Sequence, residues 1–218
     1  FTPPFFDVKV ENLPVLKNNF FTLGSINKPA KISDETVELW SKVLSSINNS
    51  KLLLKNKDFE NDKIIENTYL RFSKHNINKD RLILEGEAPT RKELLETYNK
   101  IDIALDTFPF QGNTTTCEAA WMGVPVLTLK GDRYLFHFGE SINSNLGMQN
   151  WIAKDYKEFI SKAIRFSSDL NELKKIRSTL RETALKSPVF NAVKFANNFS
   201  KMLWEMWAKL EKKDVKKN

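Results

Sequence analysis

One cysteine, Cys117, stands in 218 residues. That excludes a disulfide framework and any zinc site built on clustered thiolates. Two histidines, His75 and His137, leave little for a metal centre. No apolar run approaches the ~20 residues needed to cross a bilayer, and no signal-peptide pattern is recognisable. The expectation is a protein without a membrane span, in the cytoplasm. No internal repeat is present, and the only biased segment is a lysine-rich tail. An initiator methionine is also lacking: the chain begins at Phe1, and Thr2-Pro3-Pro4 reads as a linker. This suggests a piece of a longer polypeptide.

What is present is an ordinary globular composition, 41% hydrophobic and 28% charged, which rules out a disordered or collagen-like chain. The 34 basic and 27 acidic residues leave a net charge of +7. Such a charge suits a partner carrying phosphates or another acidic surface, without singling out nucleic acid. Part of the excess lies in the tail, at Lys209, Lys212, Lys213, Lys216 and Lys217. A tail of this kind is more often a solvated end than a binding arm.

Short apolar runs alternate with helical patterns. Phe20–Leu23, Leu52–Leu54, Leu82–Leu84, Ile101–Leu105, Val124–Leu129 and Trp151–Ala153 read as strands. Helical periodicity fills most of the gaps, and Ser33 is positioned to cap a helix whose apolar face runs from Val37 to Ile47. Thr114–Met122 reads as a helix closed by Gly123, and Phe136–Asn145 as another. From Tyr156 onward the pattern is helical: 156–166, 169–185 and 192–212. Strand–helix–strand units with continuous apolar strands predict an α/β fold, a doubly wound parallel sheet covered on both faces. Residues 1–18 are expected as a linker, 19–190 as a Rossmann-like domain, and 191–218 as a C-terminal helix and basic tail. The stripe Phe195, Phe199, Met202, Met206 and Leu210 is expected to pack on this domain.

Ligands of open α/β sheets bind beyond the carboxyl ends of the strands, so the chemistry is sought there. Gly112-Asn113-Thr114-Thr115-Thr116 follows the fourth strand and opens a helix. Its backbone N–H groups and hydroxyls suit an anion, although a plain threonine cap explains the same residues. Glu118, early in that helix, has the chemistry to accept from a ribose diol; a glutamate merely favoured by the helix dipole is the simpler explanation. The loop 25–31 brings Asn27, Lys28 and Lys31, whose ammonium groups can neutralise a diphosphate. Glu87-Ala88-Pro89-Thr90-Arg91 follows the third strand, and Ala88 can offer main-chain groups to a base. Phe108 and Phe110 straddle Pro109 and are placed to line a sugar pocket, Trp121 reads as core, and Cys117 as a packed small residue.

The run from Asp102 to Leu129, DIALDTFPFQGNTTTCEAAWMGVPVLTL, strongly resembles the donor domain of the O-linked N-acetylglucosamine transferase family, including its bacterial TPR-linked members. The likeness extends to Ile26–Ile32, Ala88-Pro89, Leu146-Gly147, Ile152-Ala153 and Ser187–Asn191, and spans about Phe20 to Leu210. The resemblance implies the C-terminal, nucleotide-sugar half of a GT-B glycosyltransferase. The enzyme would move a sugar, typically N-acetylglucosamine from UDP, to protein serine or threonine hydroxyls with inversion and without a metal. It implies Lys31 on the diphosphate as the catalytic cation, with Lys28 near it. Asn113, Thr114 and Thr115 would surround the β-phosphate, Glu118 would hold the ribose, and Ala88 and Arg91 would lie near the uridine. Expected partners are a UDP-sugar, a protein acceptor, the N-terminal catalytic half and a TPR array. The sequence departs from the family at Leu94, where a histidine is usual, and at Phe136-His137-Phe138, where Ser-Arg-Val is common. Leu94 is the feature that favours a UDP-binding or scaffold module without transfer. A nucleic-acid binder rests on charge alone, because no interleaved aromatic-basic surface or known motif appears.

Overall fold

The computed structural model describes residues 1–214. Lys216 and Lys217 of the basic tail fall outside the described residues. Six strands form one parallel sheet: β1 (Phe21–Ser25), β2 (Ser50–Lys55), β3 (Leu82–Glu85), β4 (Ile103–Leu105), β5 (Val126–Leu129) and β6 (Ile152–Ala153). Their order is β3-β2-β1-β4-β5-β6. The chain reverses direction across the sheet between β1 and β4, which pair in parallel at Leu23↔Ile103 and Gly24↔Ala104. That reversal is the topological switch point, where open sheets of this kind place their ligands.

The helices are α1 (Asp34–Ser46), α2 (Asp62–Ser73), α3 (Arg91–Glu96), α4 (Thr114–Trp121), α5 (Phe138–Asn145), α6 (Tyr156–Ser168), α7 (Leu170–Lys186) and α8 (Ala192–Asp214). Ser33 caps α1 by accepting from the Thr36 N–H, as the sequence pattern predicts. Gly123 ends α4 in the left-handed region, with φ of 71°. The short helix after β5 starts at Phe138, two residues later than the periodicity suggests. Tyr134–Phe136 instead makes one 3-10 turn, and His137 separates the two.

Alternation along the strands sorts the core. Leu52 and Leu54 of β2 join Leu23, Ile103, Leu105 and Leu127 on one face, against Trp40, Val43 and Leu44 of α1 and Phe159 of α6. Leu53 points the other way, to Leu95, Tyr98, Ala119 and Met122. A third cluster joins α4, α5 and α7 through Cys117, Ala120, Ile142, Leu180 and Ala184. The four central strands β2, β1, β4 and β5 are nearly all buried, as expected with helices on both faces, whereas the edge strand β3 is mostly half-buried. Gly24 sits where a Cβ would lie 2.5 Å from Ile101, so β1 passes directly beneath that side chain. Most of the first eighteen residues are exposed or half-buried, but Val8 and Leu13 are buried in two of these clusters.

The apolar stripe of α8 does not pack on this domain. Phe195, Phe199, Met202, Met206 and Leu210 are between 45% and 66% exposed. The helix contacts mainly the 3-10 turn Pro188–Phe190 that precedes it. Among the described residues, no helix is long and apolar enough to cross a membrane.

Candidate functional site

The loops beyond the carboxyl ends of β1, β3 and β4 converge. After β1, a 3-10 turn at Pro29–Lys31 aims Lys31 across the switch point. Its Nζ donates to the Gln111 carbonyl oxygen at 3.0 Å and lies 4.2 Å from the centre of the Phe110 ring. Both residues belong to the loop after β4. Partial burial lowers the Lys31 pKa below the ordinary lysine value. The Asp106 carboxylate pulls it back up, and the like charge of Lys28 adds to the lowering. Lys28 itself is exposed at the start of the turn, so it contributes field rather than contact.

The loop after β4 is built on Asp106. This buried carboxylate accepts from the backbone N–H of Gly112 at 2.7 Å and of Thr107 at 3.0 Å through Oδ1, and from the Thr128 hydroxyl at 2.8 Å through Oδ2. Burial pushes its pKa up to about 6 against those hydrogen bonds and the nearby Lys31 charge. Gln111, fully buried, ties the loop to the next strand. Its amide donates to the Leu129 carbonyl and its Oε1 accepts from Gly139 N–H at 2.7 Å. Ser33 and Thr36 of the α1 start both donate to the Phe108 carbonyl, at 2.7 and 2.6 Å. Gly112 is required by contact: a Cβ there would lie 2.6 Å from Thr115 Oγ1 and 2.8 Å from Thr116 Oγ1.

Helix α4 then begins at Thr114 without a side-chain cap. Asn113 occupies the N-cap position in a helical conformation and its side chain makes no capping bond. The threonine cap that the sequence allowed is therefore absent. The first intrahelical bond of α4 runs from Cys117 N to Asn113 O, which leaves the N–H groups of the first turn facing outward at the positive helix end. Asn113 and Thr114 are exposed and Thr115 is half-buried. Thr115 Oγ1 donates to Asn27 Oδ1 at 3.1 Å, linking this helix to the loop after β1.

A groove of about 480 Å³ opens beside this helix. Its walls include Ile26, Lys55, Gly86, Ala88, Pro89 and Leu94, and its floor Thr114, Thr115 and Glu118. Arg91, at the start of α3, forms an ion pair with Glu118 across the floor. The other Glu118 oxygen accepts from the Tyr98 hydroxyl at 3.3 Å. Burial raises the Glu118 pKa, and the Arg91 and Tyr98 hydrogen bonds oppose the rise. Glu118 is thus in the groove but already engaged on both oxygens, and a ligand diol would have to share it with Arg91.

Of the sequence-selected residues, Ala88, Arg91, Thr114, Thr115 and Glu118 line this groove, whereas Lys28, Lys31 and Asn113 do not. Lys31 is joined to the loop that opens α4 through Gln111, and Asn27 to α4 through Thr115, while Asp106 and Gln111 are buried beneath that loop. Asp106 and Gln111 carry no sequence mark of their burial, because the groups that bury them, Thr128, Leu129 and Gly139, arrive from β5 and α5. Cys117 is buried, and burial pushes its thiol up to about 11, which leaves it a packing residue. Among the described residues, no three histidine, cysteine or carboxylate side chains are grouped to hold a metal.

A second, larger groove of about 650 Å³ lies toward the amino ends of the strands, lined by Val10, Glu11, Lys174, Arg177 and Arg181. Arg177 there already donates to the carbonyls of Glu11, Ile101 and Tyr98. Its donors are committed to the fold.

Comparison with known proteins follows the same lines. The family model described as Glycosyl transferase family 41 matches residues 13–199. A tomato (Solanum lycopersicum) protein, described as a probable UDP-N-acetylglucosamine–peptide N-acetylglucosaminyltransferase SPINDLY, is 33% identical over 93% of this chain and 22% of its own length. A UDP-N-acetylglucosamine–peptide N-acetylglucosaminyltransferase of Caenorhabditis elegans is 23% identical over 90% of the chain and 17% of its own. Among solved structures, a mutant of Thermobaculum terrenum O-GlcNAc transferase superposes with a TM-score of 0.81 at 30% identity, over 87% of this chain and 36% of that one. Anabaena HepE in complex with UDP shares the fold, with a TM-score of 0.60 at 12% identity over 86% of this chain and 49% of its own. The chain spans about a fifth of the length of the curated relatives it matches.

Proposed function

The chain belongs to glycosyl transferase family 41, and from that premise we propose that it is the donor-binding half of an inverting glycosyltransferase. It holds a UDP-sugar, with N-acetylglucosamine as the sugar, for transfer to a serine or threonine hydroxyl of a protein in the cytoplasm. The observation that carries this reading is the meeting of Lys31 Nζ with the loop that opens the uncapped helix α4. Together they supply a cation and open N–H donors, the two features that suit an anion. The diphosphate lies there, with Asn113, Thr114 and Thr115 around its β-phosphate and Lys28 adding to the field. The uridine extends along the groove toward Ala88, and the ribose meets Glu118 and Arg91.

The acceptor oxygen attacks C1 of the sugar while the bond from C1 to the diphosphate oxygen breaks. Negative charge grows on the leaving UDP. Lys31 and the helix start are already aimed at that charge, so they stabilise the transition state with little reorganisation. This chemistry needs no divalent cation. The acceptor and its base come from the N-terminal half of the longer polypeptide. The exposed apolar face of α8 is the surface on which that half rests, and a TPR array preceding it would deliver the acceptor.

The alternative is a UDP-binding module without transfer, and Leu94 in the groove wall is the residue that favours it. The deciding experiment adds labelled UDP-N-acetylglucosamine and acceptor peptides, in EDTA, to the full-length parent and to this chain. The parent should label the peptide and the chain alone should only bind UDP, because positioning of both substrates carries much of the rate. UDP binding without transfer by the parent would establish the alternative. Loss of binding in EDTA would refute the metal-free reading, and labelling by the chain at the parent's rate would refute the two-half reading.

A further inference from the structure

We propose that the segment after β5 forms the subsite for the transferred sugar, with His137 as the side chain that reads a sugar hydroxyl. This rests on the donor-binding reading above. It concerns residues that the diphosphate and nucleoside contacts leave unused.

The segment is pinned beside the diphosphate loop. The Phe136 ring packs 5.8 Å from the Phe108 ring, and Gly131 leaves room that a Cβ would take from Phe136. Gly139 N–H donates to Gln111 Oε1 at 2.7 Å, and the carbonyl of the same Gln111 accepts from Lys31. His137 and Phe138 lie between these two anchors, so their place relative to Lys31 is fixed by the fold.

Aromatic rings run outward from Lys31. Phe110 is 4.2 Å from its Nζ, the Phe138 ring is 6.4 Å from that of Phe110, and the Tyr134 ring is 5.9 Å from that of Phe138. Phe110 is 42% and Tyr134 81% exposed, an unusual investment of large rings at a site mouth. A pyranose offers a C–H face that stacks on such rings and a rim of hydroxyls that need polar partners. His137 stands at this shelf. Its Nδ1 is 2.6 Å from Glu140 Oε2, and Glu140 Oε1 is 2.8 Å from Lys130 Nζ. The carboxylate on Nδ1 fixes the ring's orientation, which leaves Nε2 as the nitrogen that can meet a hydroxyl. Among the described residues Nε2 has no hydrogen-bond partner. The base and the phosphates occupy the β3 and β1–β4 side of the crevice. The shelf lies on the β5 side, where the sugar end of the donor falls.

The test compares two ligands of this chain, UDP and UDP-N-acetylglucosamine, by calorimetry. The quantity read is the ratio of their dissociation constants. His137→Ala should weaken UDP-N-acetylglucosamine about tenfold while leaving UDP within twofold, the size expected for one lost hydrogen bond. Tyr134→Ala, at a position too exposed to affect folding, should change the ratio in the same direction. A ratio unchanged within twofold in both variants would overturn the subsite. So would equal weakening of both ligands, which a merely structural residue would produce. No binding of UDP by the unmodified chain would instead refute the donor-binding reading, and this inference with it.

Discussion

Replacing Lys31 with alanine removes the side-chain cation that hydrogen bonds into the loop opening α4. Its Nζ hydrogen bonds to Gln111 O at 3.0 Å, in the loop that leads to the open N–H groups of α4. A unit charge pair at ~4 Å is worth about 4 kcal/mol at the effective dielectric of a protein surface. Desolvation already lowers the lysine pKa here, so only part of that survives as binding. The net loss falls in the range of a hydrogen bond to a charged group, about 1.5–3 kcal/mol. That converts to roughly 10- to 150-fold weaker UDP binding. Uridine has no phosphate and should bind the variant within twofold of the unmodified chain. Titration calorimetry with both ligands reads the contrast, with circular dichroism as the check on folding. Glu118→Ala serves as the reciprocal control: it should weaken UDP and uridine alike, because both carry the ribose. Equal loss of UDP and uridine in folded Lys31→Ala would show that Lys31 supports the loop without touching phosphate. The site would then rest on Thr114 and Thr115 alone.

Gly112→Val puts a branched side chain into space already occupied by Thr115, Thr116 and Asp106. UDP binding should fall at least 100-fold while urea unfolding shows a stability loss of about 1–3 kcal/mol; retained binding would mean that the loop geometry is not the binding element. Asp106 has a folded pKa of about 6, above its unfolded value, so the folded state binds the extra proton. Its contribution is fully present below the unfolded pKa of ~3.8 and is lost as pH rises through 6. The stability difference between the unmodified chain and Asp106→Asn should therefore shrink or reverse from pH 4 to pH 6.5 in urea titrations. Asp102, also raised to about 6, remains in both proteins and cancels. A difference constant across that range would show that Asp106 does not titrate there.

The sheet was legible because its strands are short apolar runs punctuated by helical periods, and because Ser33 and Gly123 mark helix ends by local chemistry. The run Leu52-Leu53-Leu54 announces burial on both faces, which is where the structure puts it. The diphosphate loop was legible through Gly112 and the threonines. Asp106 and Gln111 were not. Each looks like a polar loop residue until Thr128, Leu129 and Gly139, 18 to 28 residues onward, close over them. The Arg91–Glu118 pair likewise joins two helices 27 residues apart, and neither residue alone signals the other. The α8 stripe was legible as apolar but not as to what it faces. Periodicity reports an amphipathic helix and says nothing of whether its apolar face meets this domain.

On the reading proposed above, the nucleotide lies in the groove between Ala88 and Glu118, with its phosphates at Lys31 and α4. Photo-crosslinking with 4-thio-UDP followed by peptide mapping tests this directly, since the thiocarbonyl reports what touches the base. The account predicts light-dependent labelling of the peptide containing Ala88–Leu94, competed by UDP and reduced in Lys31→Ala. Labelling instead of the groove lined by Lys174, Arg177 and Arg181, or labelling competed equally by ADP and GDP, would contradict it.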